Sequence, residues 1–239
     1  RAAVMGPVWY EPAATLGFVA GATERIGLLT HVLVLPYRHP LVTAKTYATL
    51  DRLSEGRVIL GVGSGHARPE FRILGAPFEK RGRLTDESIG AIRAAWTDEV
   101  ASYEGVLLRF RDVVVAPRPF RAGGPPIWVG GNARPALRRA ALLGDGWIPW
   151  EIAVAEFREA VAEGARLRAE SGRTGAFDWI APVHVARDAK AGALRAEVGR
   201  WQEAGATGWH VGIESRGIEE LVERLEWFGG EFVNPRPAL

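Results

Sequence analysis

The sequence contains no cysteine, and that absence excludes a disulfide scaffold, a thiolate zinc site, an iron–sulfur cluster and a cysteine nucleophile. Long apolar runs are also missing. The longest, around residues 13–22 and 32–35, fall well short of the roughly 20 residues that a membrane span needs. A charge excess of one sign is lacking too. The 30 basic and 28 acidic residues leave +2, and without a dense Lys/Arg run a nucleic-acid partner has little support. Among catalytic signatures, G-x-S-x-G, the P-loop and H-E-x-x-H are all absent, so hydrolytic and phosphoryl-transfer chemistry lose their usual support. Methionine occurs once, at Met5, behind an opening Arg1. No charged segment followed by an apolar core stands near the start, and a cytoplasmic protein without membrane contact is expected.

What is present is a globular composition. Of 239 residues, 47% are hydrophobic, too many for disorder when the charges nearly cancel. Short β-branched runs alternate with longer amphipathic ones. The strand candidates are Ile26 to Leu35, Arg57 to Val62, Ile127 to Gly130, Gly146 to Pro149, Trp179 to Ala186 and Gly208 to Gly212. Between them, Ile218, Leu221, Val222, Leu225 and Phe228 form one helical stripe that Gly229 and Gly230 end. A second stripe starts with Val154, Phe157 and Val161. A third helix is expected from Asn132 to Leu143, with Asn132 as N-cap and Pro135 in the first turn.

Strands joined by single helices pair in parallel, because a parallel pair needs a long crossover. The chain is therefore expected to be α/β, and the weak internal repetition of βα units favours a TIM (β/α)8 barrel over a doubly wound sheet, in one domain spanning residues 1–239. The interval from Val62 to Ile127 is about twice the roughly 30 residues of a βαβ unit. It holds a helix from about Leu84 to Trp96, then a hairpin in which Val106, Leu108 and Phe110 alternate with Arg109 and Arg111. It is expected to be an insertion at about residues 67–119. Only six strands are found where a barrel needs eight, a deficit of about 60 residues.

Three glycine clusters sit at strand ends. Gly61-Val62-Gly63-Ser64-Gly65-His66 lets backbone approach a flat or phosphorylated ligand, but its third glycine comes too early for a dinucleotide fingerprint. Val129-Gly130-Gly131-Asn132 precedes a helix whose free N–H groups suit an anion. Gly144-Asp145-Gly146-Trp147 leads into a strand. The five histidines, His31, His39, His66, His184 and His210, have no metal-ligand spacing, and isolated histidines near strands are more often structural. His66 is the exception, since it closes a glycine motif at the presumed catalytic face. Trp147 and Trp150 are placed to line the pocket of a planar ligand.

Four stretches carry a resemblance to the bacterial luciferase-like superfamily. They are Arg25-Ile26-Gly27-Leu28 with Thr30 and Val32 to Pro36, Arg38-His39-Pro40-Leu41 with Leu50 to Ser54, Gly56-Arg57-Val58 with Leu60 to Gly63, and Pro126 to Gly131 with Gly144 to Trp147. Within it, the sequence is most similar to the branch of F420-dependent oxidoreductases. The resemblance implies a TIM barrel lacking its first two βα units here, a homodimer, and a tricyclic ring at the C-terminal face. It implies a non-prolyl cis peptide and bulge at His31-Val32, with Thr30, His31 and Val32 backing the ring. Gly63, Ser64 and Gly65 would border it, with His66 near the reacting edge as catalytic residue. Val129, Gly130, Gly131, Asn132, Gly146 and Trp147 would hold the ribityl-phosphate part, and Trp150 would face the substrate. Ser64, Gly131 and Trp147 are expected to open on one pocket. The cofactor implied is F420, with FMN and monooxygenation as the alternative. A flavin-binding protein without turnover is the alternative of another class. The substrate would be a small organic molecule.

Overall fold

A computed structural model describes residues 8–233 of the chain, and Met5 lies outside them. Helix α1 (Pro12–Ala22) precedes two very short strands, β1 (Leu28–Leu29) and β2 (Leu33–Val34). The chain continues through α2 (Pro40–Leu53), β3 (Val58–Gly63), α3 (Arg68–Ile73) and α4 (Arg81–Thr97). A two-stranded ribbon, β4 (Ala101–Glu104) and β5 (Arg109–Val113), follows. Then come β6 (Ile127–Gly130), α5 (Arg134–Leu143), β7 (Gly146–Ile148), α6 (Val154–Glu170), β8 (Asp178–Val185), α7 (Ala191–Glu203), β9 (Gly208–Ile213) and α8 (Ile218–Phe228). The α/β class is as expected, and no described helix is long and apolar enough to cross a membrane.

All main-sheet pairs are parallel, in the order β1-β3-β6-β7-β8-β9, with β2 also on β3. The sheet curls as a half-barrel. Among the described residues, the outer edges of β1, β2 and β9 have no further strand partner. The helix side of the sheet forms the core. On β8, Trp179, Ala181, Val183 and Val185 alternate into it, the period of two that puts one set of side chains on one face. Central β3 is buried along nearly its whole length, as a parallel strand covered on both faces must be.

Three expectations need correction. The run from Ile26 to Leu35 is two strands, because its middle leaves the ladder at Thr30 to Val32. Asn132 is not a cap: Ala133 occupies the N-cap position and α5 starts at Arg134. In the ribbon, Val106 and Leu108 belong to the turn, since pairing runs Tyr103 to Phe110 and Glu104 to Arg109. The interval of residues 67–119 also contains α4, which packs with α2 and α5 in the helix layer, beside the short α3 and the ribbon.

Buried Glu87 of α4 anchors that ribbon turn. Its carboxylate accepts the backbone N–H groups of Val106, Leu107 and Leu108 at 3.2, 2.8 and 2.9 Å. Glu87→Ala orphans all three donors and should cost about 1–3 kcal/mol, read as a lower urea midpoint. Faster proteolysis at residues 105–108 should accompany it. Buried Asp51 holds the return segment likewise, accepting from Phe120 and Arg121 N–H at 2.9 and 3.1 Å.

Candidate active site

The site is built around a bulge. Leu29 pairs with Ile59 and Leu33 with Val62, so the first strand position spends one residue more than β3 over the same step. The extra residue lies in the Thr30-His31-Val32 segment, and the His31–Val32 peptide is cis, where the resemblance placed it. The glycines opposite make this possible. A Cβ at Gly61 would sit 1.9 Å from the Thr30 carbonyl oxygen, while Thr30 Oγ1 donates to the Gly61 carbonyl at 2.7 Å. A Cβ at Gly63 or Gly130 would lie 2.8 or 2.7 Å from the Val32 side chain. The side-chain space at both glycines is therefore taken by Val32. Similarly, Gly146 leaves room for the Trp128 indole, whose N–H donates to Asp178 at 3.2 Å.

At the C-terminal mouth, three rings from distant elements converge. His31 of the bulge lies 4.3 Å from His210 of β9 and 5.9 Å from Trp150 after β7, measured between centroids, and Trp150 lies 5.7 Å from His210. The sheet thus curls far enough for its first and last positions to meet through side chains. Asn132 sets this corner: its Oδ1 accepts the Trp150 N–H at 2.9 Å and its Nδ2 donates to the Glu151 carbonyl. Burial, followed by repulsion from His210, depresses the His31 pKa to about 4, and burial lowers that of His210. Both rings are therefore neutral near pH 7.

A pH effect follows with a definite sign. The unfolded chain takes up the His31 proton near pH 6.5, before the folded protein does. Stability from this group is complete above about pH 6.5 and falls as the pH drops toward 4. Thermal midpoints measured across that window should decline less steeply in His31→Gln than in the wild type.

Trp147 does not open on this mouth. It is fully buried on the helix side of β7, stacked on Phe157 at 5.6 Å and edge-on to Trp179 at 6.3 Å. Its N–H donates to the Gly131 carbonyl at 2.9 Å. The expected common pocket of Ser64, Gly131 and Trp147 is therefore corrected: the indole shapes the loop from behind. Val129 is also fully buried, so only its backbone can face a ligand. Ser64 and Gly65 are half-buried past β3, and Gly65 has φ +73 against Phe71 and Val34. His66 is exposed and, among the described residues, makes no hydrogen bond or ion pair that would orient its ring.

Sequence reasoning passed over His184 and His210. Pro182 pairs with His210 and His184 with Gly212, which puts both histidines on the face opposite the core. The signal was the alternation of β8, whose large apolar residues claim every second position. His184 Nε2 lies 3.0 Å from Glu214 Oε1, and this hydrogen bond is the main influence lowering the Glu214 pKa.

Similarity to known proteins bears on identity. The chain is 33% identical over 221 residues to an uncharacterized protein of Mycobacterium tuberculosis, covering 90% of this chain and 74% of the relative. It is 38% identical over 176 residues to the F420-dependent glucose-6-phosphate dehydrogenase of Beutenbergia cavernae, covering 69% and 51%. In fold it matches the FMN-complexed oxygenating constituent of 3,6-diketocamphane monooxygenase from Pseudomonas putida. The TM-score there is 0.75 at 16% identity, with 94% and 84% covered. The family model for luciferase-like monooxygenases matches residues 2–230, and with the half-barrel and its bulge on the page, the chain belongs to that family.

Proposed function

We propose that this protein is an F420-dependent oxidoreductase that moves a hydride between the deazaflavin and a small organic substrate. The observation that carries the choice of cofactor is the similarity to an F420-dependent dehydrogenase over 69% of the chain. The described residues fit such a group. The mouth offers neutral planar rings, and the buried Nδ1 of His210 has no hydrogen-bond partner. The Ala133 N-cap of α5 gives its first turn no side-chain bond; Pro135 has no N–H and the Ala136 N–H donates to the Ala133 carbonyl at 2.8 Å, so the Arg134 N–H is the first-turn donor left for an anionic portion.

Bound F420 would supply the hydride chemistry, and the protein supplies position, desolvation and protons. In this reading the Thr30 to Val32 bulge backs the ring. Gly63 contributes backbone, and Ser64 and Gly65 border the ring edge with His66 beyond them. The phosphate-bearing part meets the backbone of Val129, Gly130, Gly131 and Gly146, with Asn132 and the start of α5. Trp147 keeps the Gly131 carbonyl fixed, and Trp150 faces the substrate. A cytoplasmic homodimer accompanies this reading.

Equilibrium titration of the purified protein with F420 and with FMN, followed by cofactor absorbance, tests the proposal. F420 should saturate at micromolar concentration. Tight FMN binding without affinity for F420 would replace it by the monooxygenase reading, and binding of either cofactor without turnover on a broad substrate panel would favour a storage protein.

A further inference from the structure

We propose that the Trp150 indole is a placeholder which Asn132 positions against His31 and His210, and that the substrate is a planar heteroaromatic compound that takes its place. The inference rests on the oxidoreductase reading above and deepens it, naming the substrate class and the residue that selects it.

Trp150 is fixed at its backbone and loose at its ring. The Asn132 carboxamide engages the 150–151 loop with both polar ends, Oδ1 accepting the Trp150 N–H at 2.9 Å and Nδ2 donating to the Glu151 carbonyl. Nothing comparable holds the indole. Its N–H makes no hydrogen bond among the described residues, and Trp150 is 52% exposed. Two ring contacts alone draw it inward, His31 at 5.9 Å and 30° and His210 at 5.7 Å and 38°. Such pairs attract, but far less than full burial does. Trp147 shows the contrast, with its ring buried between Phe157 and Trp179 and its N–H bonded to the Gly131 carbonyl. The Trp150 ring is thus free to turn away while its loop stays in place.

The corner it leaves suits another ring. His31 and His210 meet edge to face at 4.3 Å and 65°, and the indole lies across both. His210 Nδ1 is buried there without a hydrogen-bond partner. A buried polar atom left unpaired is costly, so an occupant that brings a ring nitrogen or carbonyl to it gains a bond that the indole does not make. A stacking face with one hydrogen-bonding edge atom describes a planar heteroaromatic compound. His31 belongs to the bulge read above as the backing of the cofactor ring, so a compound stacked on His31 stands beside that ring. Selection lies in the exchange. A tethered indole competes at high effective concentration, and molecules without a flat face to stack do not displace it.

The first arm uses the whole chain without cofactor, labelled with 5-fluorotryptophan, the Trp150 signal being assigned with Trp150→Phe. Its ¹⁹F shift should differ from that of a solvent-exposed indole. Asn132→Ala should move it most of the way to the exposed value, and Asn132→Asp, which keeps the acceptor for the Trp150 N–H, should largely restore it. Indole and quinoline should each drive the wild-type signal the same way, and cyclohexanone should not. Trp150→Ala should bind indole or quinoline about tenfold more tightly than wild type, with shifts at the His31 and His210 rings. An unmoved signal in Asn132→Ala, or equal ligand affinity in Trp150→Ala and wild type, overturns the proposal. The ligand measurements use only Trp150 variants, so they decide the matter even if Asn132→Ala does not fold. The second arm uses protein shown to bind F420. Saturating indole should leave the F420 dissociation constant within about threefold, a negligible coupling. Mutual exclusion of indole and F420 would make the corner part of the cofactor site and overturn the proposal. Failure of F420 to bind defeats the oxidoreductase reading alone, and the first arm still decides whether the corner takes a planar ligand.

Discussion

Gly61→Ala is expected to be the most disruptive single-methyl change in the chain. Its Cβ would enter the Thr30 carbonyl oxygen at 1.9 Å and crowd Leu29 Cδ1 at 3.1 Å. The first of these neighbours is backbone, which no rotamer change can move. Either β3 must leave its register with Leu29 and Leu33, or the bulge must open and break the Thr30 hydroxyl bond to the Gly61 carbonyl. Overpacking in a close-packed interior costs about 1–3 kcal/mol where side chains can yield, and this site should exceed that range. Urea denaturation should show the loss, and cofactor titration of any folded fraction should show affinity at least about tenfold weaker, since binding that needs the displaced bulge forfeits more than 1.4 kcal/mol. Gly63→Ala provides a graded comparison. Its added methyl meets only the Val32 side chain at 2.8 Å, so Val32→Ala should recover much of its stability, whereas no side-chain change should rescue Gly61→Ala. Equal stability of Gly61→Ala and wild type would refute the close approach.

Trp147→Ala is expected to cost about 3–5 kcal/mol, the usual range for emptying a buried aromatic site. The indole is fully buried between Phe157 and Trp179, and helix and strand neighbours can collapse onto the vacancy only in part. The Gly131 carbonyl also loses its 2.9 Å donor. Trp147→Phe separates these effects, keeping much of the packing while removing the N–H, for a loss of about 1–2 kcal/mol. Both variants should lose stability first, with ligand affinity following through the Gly131 loop. A large drop in cofactor affinity at unchanged stability would instead place the indole in contact with the ligand.

Much of the architecture was legible because periodicity reports which face of an element is buried. The stripe from Ile218 to Phe228 marks the bounds of α8, and the β-branched run at Ile127 to Gly130 those of β6. The bulge was legible only through the family resemblance. Composition and periodicity describe Ile26 to Leu35 as one continuous strand, and nothing local says that Thr30 to Val32 leave the ladder. The roles of the glycines were half legible. Their density at strand ends signals close approach, and the side-chain space at Gly63, Gly130 and Gly146 is taken by Val32 and Trp128, an identity that depends on what stands across the sheet. Trp147 was misplaced for a related reason: an aromatic residue after a glycine turn fits the mouth as well as the core, and only the strand's facing separates the two.

The sequence alone determined the α/β class, the parallel connections and the exclusion of thiolate chemistry, because these depend on residue type and local period. Tertiary structure decided which side chains share the mouth. His31, Trp150 and His210 come from three separate elements and meet only because the sheet curls, and His184 reaches Glu214 only through the register of β8 on β9. Curl and register are set by packing across the whole sheet, so no window of sequence contains them.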